Sequence, residues 1–326
     1  MTMKFALASA ALVLGLLITS CLFTYWQARR ISTAFPPTGA FVDVEGARIH
    51  FTQTLPKSGP SGDIVLIHGA SGNEADMRLP LGERLAAQGF RVISVDRPGH
   101  GWSTRDEVDS TPARQALQIR QALEKIGVKR AVVAGHSLAG AMTLQLALDH
   151  SDIVEGVVLI SPVTHPWPGG VASYYYLTAA PYIGAAFTNT FMMPTALAIF
   201  DRSLTLVFSP QIPPENYRKL SGVDLVLRPE TFRANARDVV GSYDFVEKEQ
   251  LRYKTIAIPV SIISGDRDAI VLTHIHSYGS ARDIPGSQLQ ILEGIGHSPH
   301  WARPDDVSQR IAEFASTAHS ARQAGR

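Results

Sequence analysis

The sequence predicts an α/β protein: a mostly parallel central sheet with helices on both faces, a helical cap insertion and an N-terminal transmembrane helix. Short apolar segments rich in β-branched residues alternate with helical segments up to residue 163 and again from residue 259, which is typical of a parallel sheet. An uncharged, mostly apolar stretch, Phe5–Trp26, precedes them. At about 1.5 Å rise per residue, it is long enough to cross a bilayer core.

The bulk composition favours a globular domain with a large core. The chain has 326 residues, of which 45% are hydrophobic, and its formal net charge is +1. Such a small charge, without a run of lysines and arginines, disfavours nucleic-acid binding. Cys21 is the only cysteine in the chain, so the fold cannot depend on an internal disulfide.

The N-terminal segment, residues 1–30, is predicted to be a signal-anchor that crosses a membrane through residues 5–26. Positive residues flank the apolar stretch on both sides, and the short N-terminal tail favours an extracytoplasmic position for the large domain. Two alternatives remain open. One is secretion after cleavage of a signal peptide, and the other is a lipoprotein, because Ile18–Cys21 resembles a lipobox that would make Cys21 the lipidated residue.

The alternating segments have recognisable ends. Thr111 and Pro112 suit the cap and first position of a helix, and Gly127 suits its end. The predicted strands and helices then follow one another along the chain. The strands are residues 47–54, 63–67, 90–95, 130–134, 154–160, 259–264 and 288–292, and the helices are residues 74–88, 112–126, 138–149 and 304–316.

The alternation stops in an insertion at residues 164–253. Within it, residues 171–200 carry no charge and are interrupted by Pro181 and Pro194. We expect a helical cap over the carboxyl edge of the sheet, because the prolines disfavour the alternative of a second membrane segment. The remaining boundaries follow from this: a linker at residues 31–39, a core at residues 40–163 and 254–317, and a flexible tail at residues 318–326.

The motif Gly135-His136-Ser137-Leu138-Ala139-Gly140 lies between a predicted strand and a predicted helix. This context is typical of a nucleophile elbow, in which a sharp turn exposes a serine hydroxyl above the sheet. The turn requires small neighbours, and Ala139 stands where glycine is common. Ser137 is therefore the candidate nucleophile. The amide of Leu138, at the start of the helix, is a candidate oxyanion donor.

A serine nucleophile needs a general base, and the base needs an orienting acid. In proteins with a nucleophile elbow, the acid follows the serine in the sequence, and the histidine follows the acid. His297 follows the last predicted strand in a glycine-containing loop and is favoured over His300. Asp268 follows the preceding strand and is favoured over Asp266, which we expect to bind turn amides.

Several further residues complete the predicted site. The amide of Ala70, after the first core strand, is the second candidate oxyanion donor, and His68 is expected to be a structural turn histidine. His274 and His276 form an H-x-H pair without an evident third ligand. They are interpreted as surface or helix-start histidines, so no metal and no cofactor is predicted.

Five short motifs occur in order: Ile67–Gly69, Asp96–Ser103, Gly135–Gly140, Gly265–Asp268 and Gly296–His297. Together they resemble the α/β-hydrolase superfamily, in the branch that includes esterases, lipases and C–C bond hydrolases. The resemblance covers roughly residues 40–317. It implies the fold, the Ser137–His297–Asp268 triad and a cap, but not the substrate. The similar epoxide hydrolases and haloalkane dehalogenases use aspartate at the elbow, which disfavours both activities here.

The resulting expectation is a membrane-bound serine hydrolase that cleaves a small carboxylic ester with a hydrophobic acyl or aromatic group through an acyl-enzyme. A C–C bond hydrolase or a perhydrolase with the same triad is the nearest alternative. A non-catalytic binding protein on the same fold is the alternative from another class. Apart from the substrate and the membrane, no nucleic acid and no obligate protein partner is predicted.

Overall fold

A sheet of nine strands forms the centre of the computed structural model, which describes residues 2–106 and 110–324. Its strand order is β1-β2-β4-β3-β6-β7-β8-β9, with β5 beside β2. The strands from β4 to β9 in this order run parallel, whereas β1, β2 and β5 pair antiparallel at one side. The strands are β1 (Ala40–Val44), β2 (Ala47–Thr54), β3 (Asp63–Ile67), β4 (Arg91–Val95), β5 (Thr104–Arg105), β6 (Ala131–His136), β7 (Val154–Ile160), β8 (Val260–Gly265) and β9 (Gln288–Leu292).

Helices cover both faces of this sheet, as the sequence predicts. In β3, Val65 and Ile67 pack into the apolar core on one face, while Ile64 and Leu66 pack into the core on the other. A strand buried on both faces is apolar throughout, because successive side chains point in opposite directions. The helices are α1 (Thr2–Ala34), α2 (Glu74–Ala87), α3 (Pro112–Lys125), α4 (Ala139–Asp149), α5 (Ser173–Ala179), α6 (Ile183–Phe187), α7 (Met193–Phe208), α8 (Tyr217–Ser221), α9 (Pro229–Glu249), α10 (Thr273–Asp283), α11 (Pro299–Ala302) and α12 (Pro304–Ala324).

Both ends of the chain are more helical than the sequence indicated. α1 continues to Ala34, and Ile31 is buried among cap side chains, so the linker predicted at residues 31–39 begins only after α1. α12 continues to Ala324 and buries Ala318 against the core. The flexible tail predicted at residues 318–326 is therefore helical up to residue 324, and its first residue, Ala318, packs against the core.

The segment between β7 and β8 contains α5 to α9, with a π-helical turn at Thr188–Met192. α1 packs against this turn, and the Ser20 hydroxyl donates a hydrogen bond of 2.6 Å to Thr190 O. Among the described residues, two helical stretches are long and apolar enough to cross a membrane: Met3–Ala34, with a mean hydropathy of 2.3, and Ile183–Phe208, with 1.4.

The cap segment is tied to the sheet by a buried ionic cluster on α9. Asp238 Oδ2 accepts a hydrogen bond of 2.7 Å from Arg97, and Asp238 Oδ1 accepts one of 2.6 Å from Arg105. All three side chains are at most 4% exposed. Charges buried to this extent are tolerated only when they are paired, so Asp238 holds α9 against the loop that follows β4.

Candidate active site

The turn between β6 and α4 holds Ser137 in a strained conformation. Its φ of 54° lies in the left-handed region, which is uncommon for a residue with a side chain. The surroundings explain the small residues beside it. A methyl group at Gly135 would collide with Thr143 Oγ1, and one at Gly140 would lie 2.6 Å from Pro162 Cβ. The turn therefore presents the serine hydroxyl at the carboxyl end of the central strand.

Two hydrogen bonds join Ser137, His297 and Asp268. His297 Nε2 lies 2.9 Å from Ser137 Oγ, and His297 Nδ1 lies 2.8 Å from Asp268 Oδ2. A carboxylate beside Nδ1 holds the proton there, which leaves Nε2 free to accept the serine proton. The structure thus brings together the three residues predicted to form the triad, and their arrangement can move a proton from hydroxyl to imidazole.

Asp268 is fixed by the backbone as well as by the histidine. Its Oδ1 accepts hydrogen bonds from the amides of Ile270 (2.9 Å) and Val271 (2.8 Å). Its side chain is fully buried, while His297 and Ser137 are 3% and 6% exposed as whole residues. In such a water-poor environment hydrogen bonds are stronger than in solution, so the carboxylate orients the imidazole firmly.

The two competing residues occupy other positions. Asp266 Oδ1 accepts the amide of Gly294 at 2.7 Å, which is the turn-binding role predicted for it. His300 is fully buried, and its Nε2 lies 3.7 Å from Asp76 Oδ2. Asp266 thus shapes the loop that carries His297, while His300 belongs to a separate cluster.

The two predicted oxyanion donors lie on adjacent backbone segments. A methyl group at Gly69 would lie 2.8 Å from Ser137 Cβ, so the loop before Ala70 passes directly beside the serine. Leu138 begins α4 in helical conformation, where amide dipoles favour a negative charge. The next amide along the loop, that of Ser71, already donates a hydrogen bond to Asn235 Oδ1.

His68 has a structural position, as the sequence suggested. Its Nδ1 donates to Gly69 O at 2.8 Å, and its Nε2 accepts the amide of Arg97 at 2.9 Å. Burial, reinforced by the charge of Arg97, lowers the pKa of His68 to about 3. The neutral ring therefore ties the loop before Ala70 to the loop after β4.

A buried cluster of Asp76, His136 and His300 was missed by the sequence analysis. The rings of His136 and His300 are 4.4 Å apart, and Tyr217 and Trp301 donate hydrogen bonds to Asp76 Oδ1 at 2.7 and 2.9 Å. Burial alone would raise the pKa of Asp76, but His300, His136 and Tyr217 lower it overall. The available signal was the closeness of His300 to His297 in the sequence, which brings a second histidine near the site at the start of α11.

The same cluster offers one possible metal ligand from each of its three residues. Among the described residues these ligand atoms lie within 4.8 Å of one another. Zinc bonds of about 2.0–2.2 Å place tetrahedral ligands about 3.4 Å apart, so the group would have to contract to hold an ion. His136 Nε2 already donates to His297 O at 3.0 Å, which couples the cluster to the histidine loop.

The H-x-H pair is divided between solvent and core. His274 is exposed, whereas His276 is 2% exposed, and the His276 Nδ1 accepts the amides of Thr164 and His165 at 3.2 Å each. Both residues lie in the first turn of α10, which agrees with the interpretation of the pair as helix-start histidines. The prediction of a surface position is wrong for His276, whose ring anchors the start of the cap segment.

The sheet order, the strained serine turn and the Ser137–His297–Asp268 geometry are those of an α/β hydrolase. The chain belongs to the alpha/beta hydrolase family, which it matches over residues 64–310. The family resemblance found in the sequence motifs is thereby confirmed.

Several proteins are similar to this chain over most of its length. An uncharacterised protein of Mycobacterium tuberculosis is 30% identical over 305 residues, which are 90% of this chain and 85% of that protein. A pimeloyl-acyl-carrier-protein methyl ester esterase of Vibrio cholerae is 25% identical over 265 residues, covering 79% of this chain and 96% of the esterase. Among solved structures, a membrane phospholipase A has a TM-score of 0.67 at 20% identity and covers 97% of both chains. At this identity the last comparison shows the fold alone.

Proposed function

We propose that the protein is a membrane-anchored serine hydrolase that cleaves carboxylic esters with hydrophobic acyl or aromatic groups. The observation that carries this proposal is the pair of hydrogen bonds joining Ser137 to His297 and His297 to Asp268. A buried serine activated in this way is suited to attack a carbonyl carbon.

In the proposed reaction, Ser137 Oγ attacks the ester carbonyl while His297 Nε2 takes the serine proton. Asp268 stabilises the imidazolium that forms. The amides of Ala70 and Leu138 stabilise the negative charge on the carbonyl oxygen. His297 then protonates the leaving alcohol, and a water molecule, activated by the same histidine, releases the acyl group from Ser137.

The proposed substrate class rests on the cap and on α1. Apolar side chains of the cap remain exposed, as they do at Tyr182 (91%), Ile183 (65%) and Leu206 (58%). In α1 itself, Leu12 and Leu22 are exposed by more than 60%. Apolar surface of this extent marks a membrane or partner contact. An ester drawn from the bilayer would then reach the site without crossing water.

The decisive experiment is labelling with a fluorophosphonate probe combined with a panel of chromogenic esters. We expect the full-length protein in detergent to be labelled and active, and Ser137→Ala to be neither. Ser308→Ala is the matched control, because Ser308 lies on α12 and its hydroxyl binds only Asp305 O. Failure of the wild-type protein to react with the probe would exclude a serine nucleophile. Labelling without hydrolysis of any ester would favour C–C bond cleavage instead.

The membrane part of the proposal has its own test. We expect the full-length protein to stay with the membrane fraction after alkaline carbonate extraction, and to prefer medium-chain over short, polar esters. Release into the soluble fraction would contradict an anchor at residues 5–26. A preference for short, polar esters would contradict the hydrophobic substrate class and leave the serine chemistry intact.

A further inference from the structure

A cavity of about 770 Å³ lies between α1, the loop after β4 and the start of α9. α1 lines it with Cys21, Tyr25 and Arg29, while the loop contributes Trp102 and α9 contributes the residues from Pro229 onward. None of Ser137, Asp268 and His297 is among the lining residues. The cavity is therefore a compartment distinct from the candidate active site, and it is formed only when α1 is present.

The lining combines apolar side chains of α1, such as Tyr25 and Ala28, with cationic side chains. Arg228 is the central cation: its guanidinium lies 4.8 Å from the ring of Trp102 and donates to neutral groups, the carbonyls of Gly101 and Leu225 and the hydroxyl of Thr231. Burial lowers the pKa of Arg228 despite the charges of Asp96 and Glu230. Among the described residues, no carboxylate lies within ion-pair distance of this partly buried arginine.

Most of the other charged side chains that line the cavity are also cationic. Arg29 lies in α1 before the last turn of the helix, with its guanidinium 4.8 Å from the ring of Tyr25. Arg105 shares Asp238 with Arg97, so these three groups together keep one positive charge. Arg233 and Arg237 also line the cavity, but both have other interaction partners. Within residues 2–106 and 110–324, Glu230 is the acidic residue in the lining.

The start of α9 adds a second kind of attraction for anions. α9 has 21 residues and begins at the cavity, and the side chain of its N-cap, Arg228, does not cap an amide of the helix. Pro229 has no amide hydrogen, but the amides of Glu230 and Thr231 in the first helical turn are not used within the helix, and the dipole places partial positive charge there. Phosphate groups bind at such helix ends, most strongly beside an arginine.

The position along α1 indicates where the anion comes from. Tyr25 and Trp26 are exposed by 57% and 56% at the end of the apolar stretch, and Arg29 and Arg30 follow. Aromatic and basic residues in this order are typical of the level of lipid headgroups. The residues of α1 that line the cavity lie between Cys21 and Ser32 and therefore span this aromatic and basic region.

We propose that this cavity binds the phosphate-bearing headgroup of an anionic membrane lipid at a site separate from the catalytic serine. The lipid phosphate would contact Arg228, Arg29 and the first amides of α9, and its acyl chains would lie along α1. The inference rests on the proposed anchor, but not on the proposed ester chemistry. A free phosphate ion could make the same contacts as a lipid phosphate. The experiment below distinguishes a lipid from a free ion.

The test is native mass spectrometry of full-length protein carrying Ser137→Ala, in neutral detergent, with phosphatidylglycerol or phosphatidylcholine added. Ser137→Ala prevents hydrolysis, so the result does not depend on the ester chemistry. We expect phosphatidylglycerol to bind about tenfold more tightly than phosphatidylcholine, because each arginine near an anionic lipid adds several-fold to affinity. Equal binding of the two lipids would overturn the proposal.

Variants locate the site. The double variant R29Q/R228Q should lose the preference for phosphatidylglycerol, and Arg29→Gln alone, at an exposed position, should weaken it several-fold without affecting the fold. Glu230→Gln removes an acid from the lining and should strengthen binding. The control R282Q/R310Q makes the same charge change at exposed positions outside the lining and should bind like the parent protein.

Two results would contradict the site. One is an equal loss of binding in R282Q/R310Q, which would indicate a general charge effect. The other is complete displacement of phosphatidylglycerol by millimolar inorganic phosphate, which would indicate a site for free phosphate ions. In either case, fluorophosphonate labelling of the wild-type protein still tests the ester chemistry independently.

Discussion

The Asp268 carboxylate lies 2.8 Å from His297 Nδ1, whereas the Asp266 carboxylate, two residues earlier, binds the amide of Gly294. Both aspartates follow β8 in the same loop, yet only one faces the imidazole. The sequence Gly265-Asp266-Arg267-Asp268 thus separates a structural from a catalytic candidate by two positions. This separation permits a matched test within one loop.

Asp268→Asn should reduce kcat for ester hydrolysis by about 10³–10⁴-fold near neutral pH. The amide can donate to His297 Nδ1 and thereby favour the wrong tautomer. Asp266→Asn keeps an oxygen for the Gly294 amide and should change kcat by only a few-fold. Steady-state kinetics on one chromogenic ester would measure both. Similar losses in the two variants would remove Asp268 from its proposed role.

The stability of the turn that carries Ser137 should depend on the space between Gly135 and Thr143. Gly135→Ala places a methyl group against Thr143 Oγ1, and overpacking of this kind costs about 1–3 kcal/mol. The double variant G135A/T143A should recover most of the lost unfolding free energy, since it removes the colliding hydroxyl. Thr143→Ala alone is the control for the second change. Denaturant unfolding would measure all three, and additive losses would contradict the proposed contact.

Much of this arrangement could be predicted from local sequence. The bounds of β2, β3, β7 and β9 agree with the predicted strands, because an apolar run between turn residues defines a buried strand. The triad residues follow strand ends, and strand ends of a parallel sheet meet at one edge. The positions of Ser137, Asp268 and His297 therefore follow from strand order, although their catalytic roles remain proposals.

The remainder depends on contacts between distant parts of the chain. β1 is a partly exposed edge strand with weak alternation, so its pattern resembles that of a loop. Asp76 lies beside His300, which is more than two hundred residues away in the sequence. Asp238 likewise binds Arg97, from which it is separated by 141 positions. The end of α1 depends on such a contact as well, because Ile31 packs among cap side chains from a distant part of the chain.

Asp238 should be the most sensitive position in the attachment of the cap. Asp238→Ala leaves Arg97 and Arg105 buried without their counter-ion, and such a loss costs about 3–5 kcal/mol. Glu124→Ala breaks the ion pair with Arg120, in which the Glu124 side chain is 57% exposed, and should cost about 0–1 kcal/mol. Urea unfolding of both variants in detergent would measure the difference. Equal losses would contradict a special role for α9.

The stability of the protein should fall on acidification through His276. Burial, reinforced by His165, lowers the pKa of His276 from 6.5 to about 4. Between these values the unfolded chain binds a proton that the folded chain does not, so unfolding becomes easier as the pH falls from about 6.5 toward 4. At about pH 5 this should cost roughly 1–2 kcal/mol relative to about pH 7.5.

His276→Asn tests this assignment, because asparagine keeps an acceptor near Nδ1 for the amides of Thr164 and His165 but does not titrate. Its unfolding free energy should therefore differ less between the two pH values than that of the wild-type protein, by roughly 1–2 kcal/mol. His274→Asn is the matched control two residues away, since His274 is exposed and should leave the pH dependence unchanged. The measurement is urea unfolding in detergent at both pH values. An unchanged pH dependence in His276→Asn would assign the acid sensitivity to other buried histidines, such as His68, whose pKa is lowered to about 3.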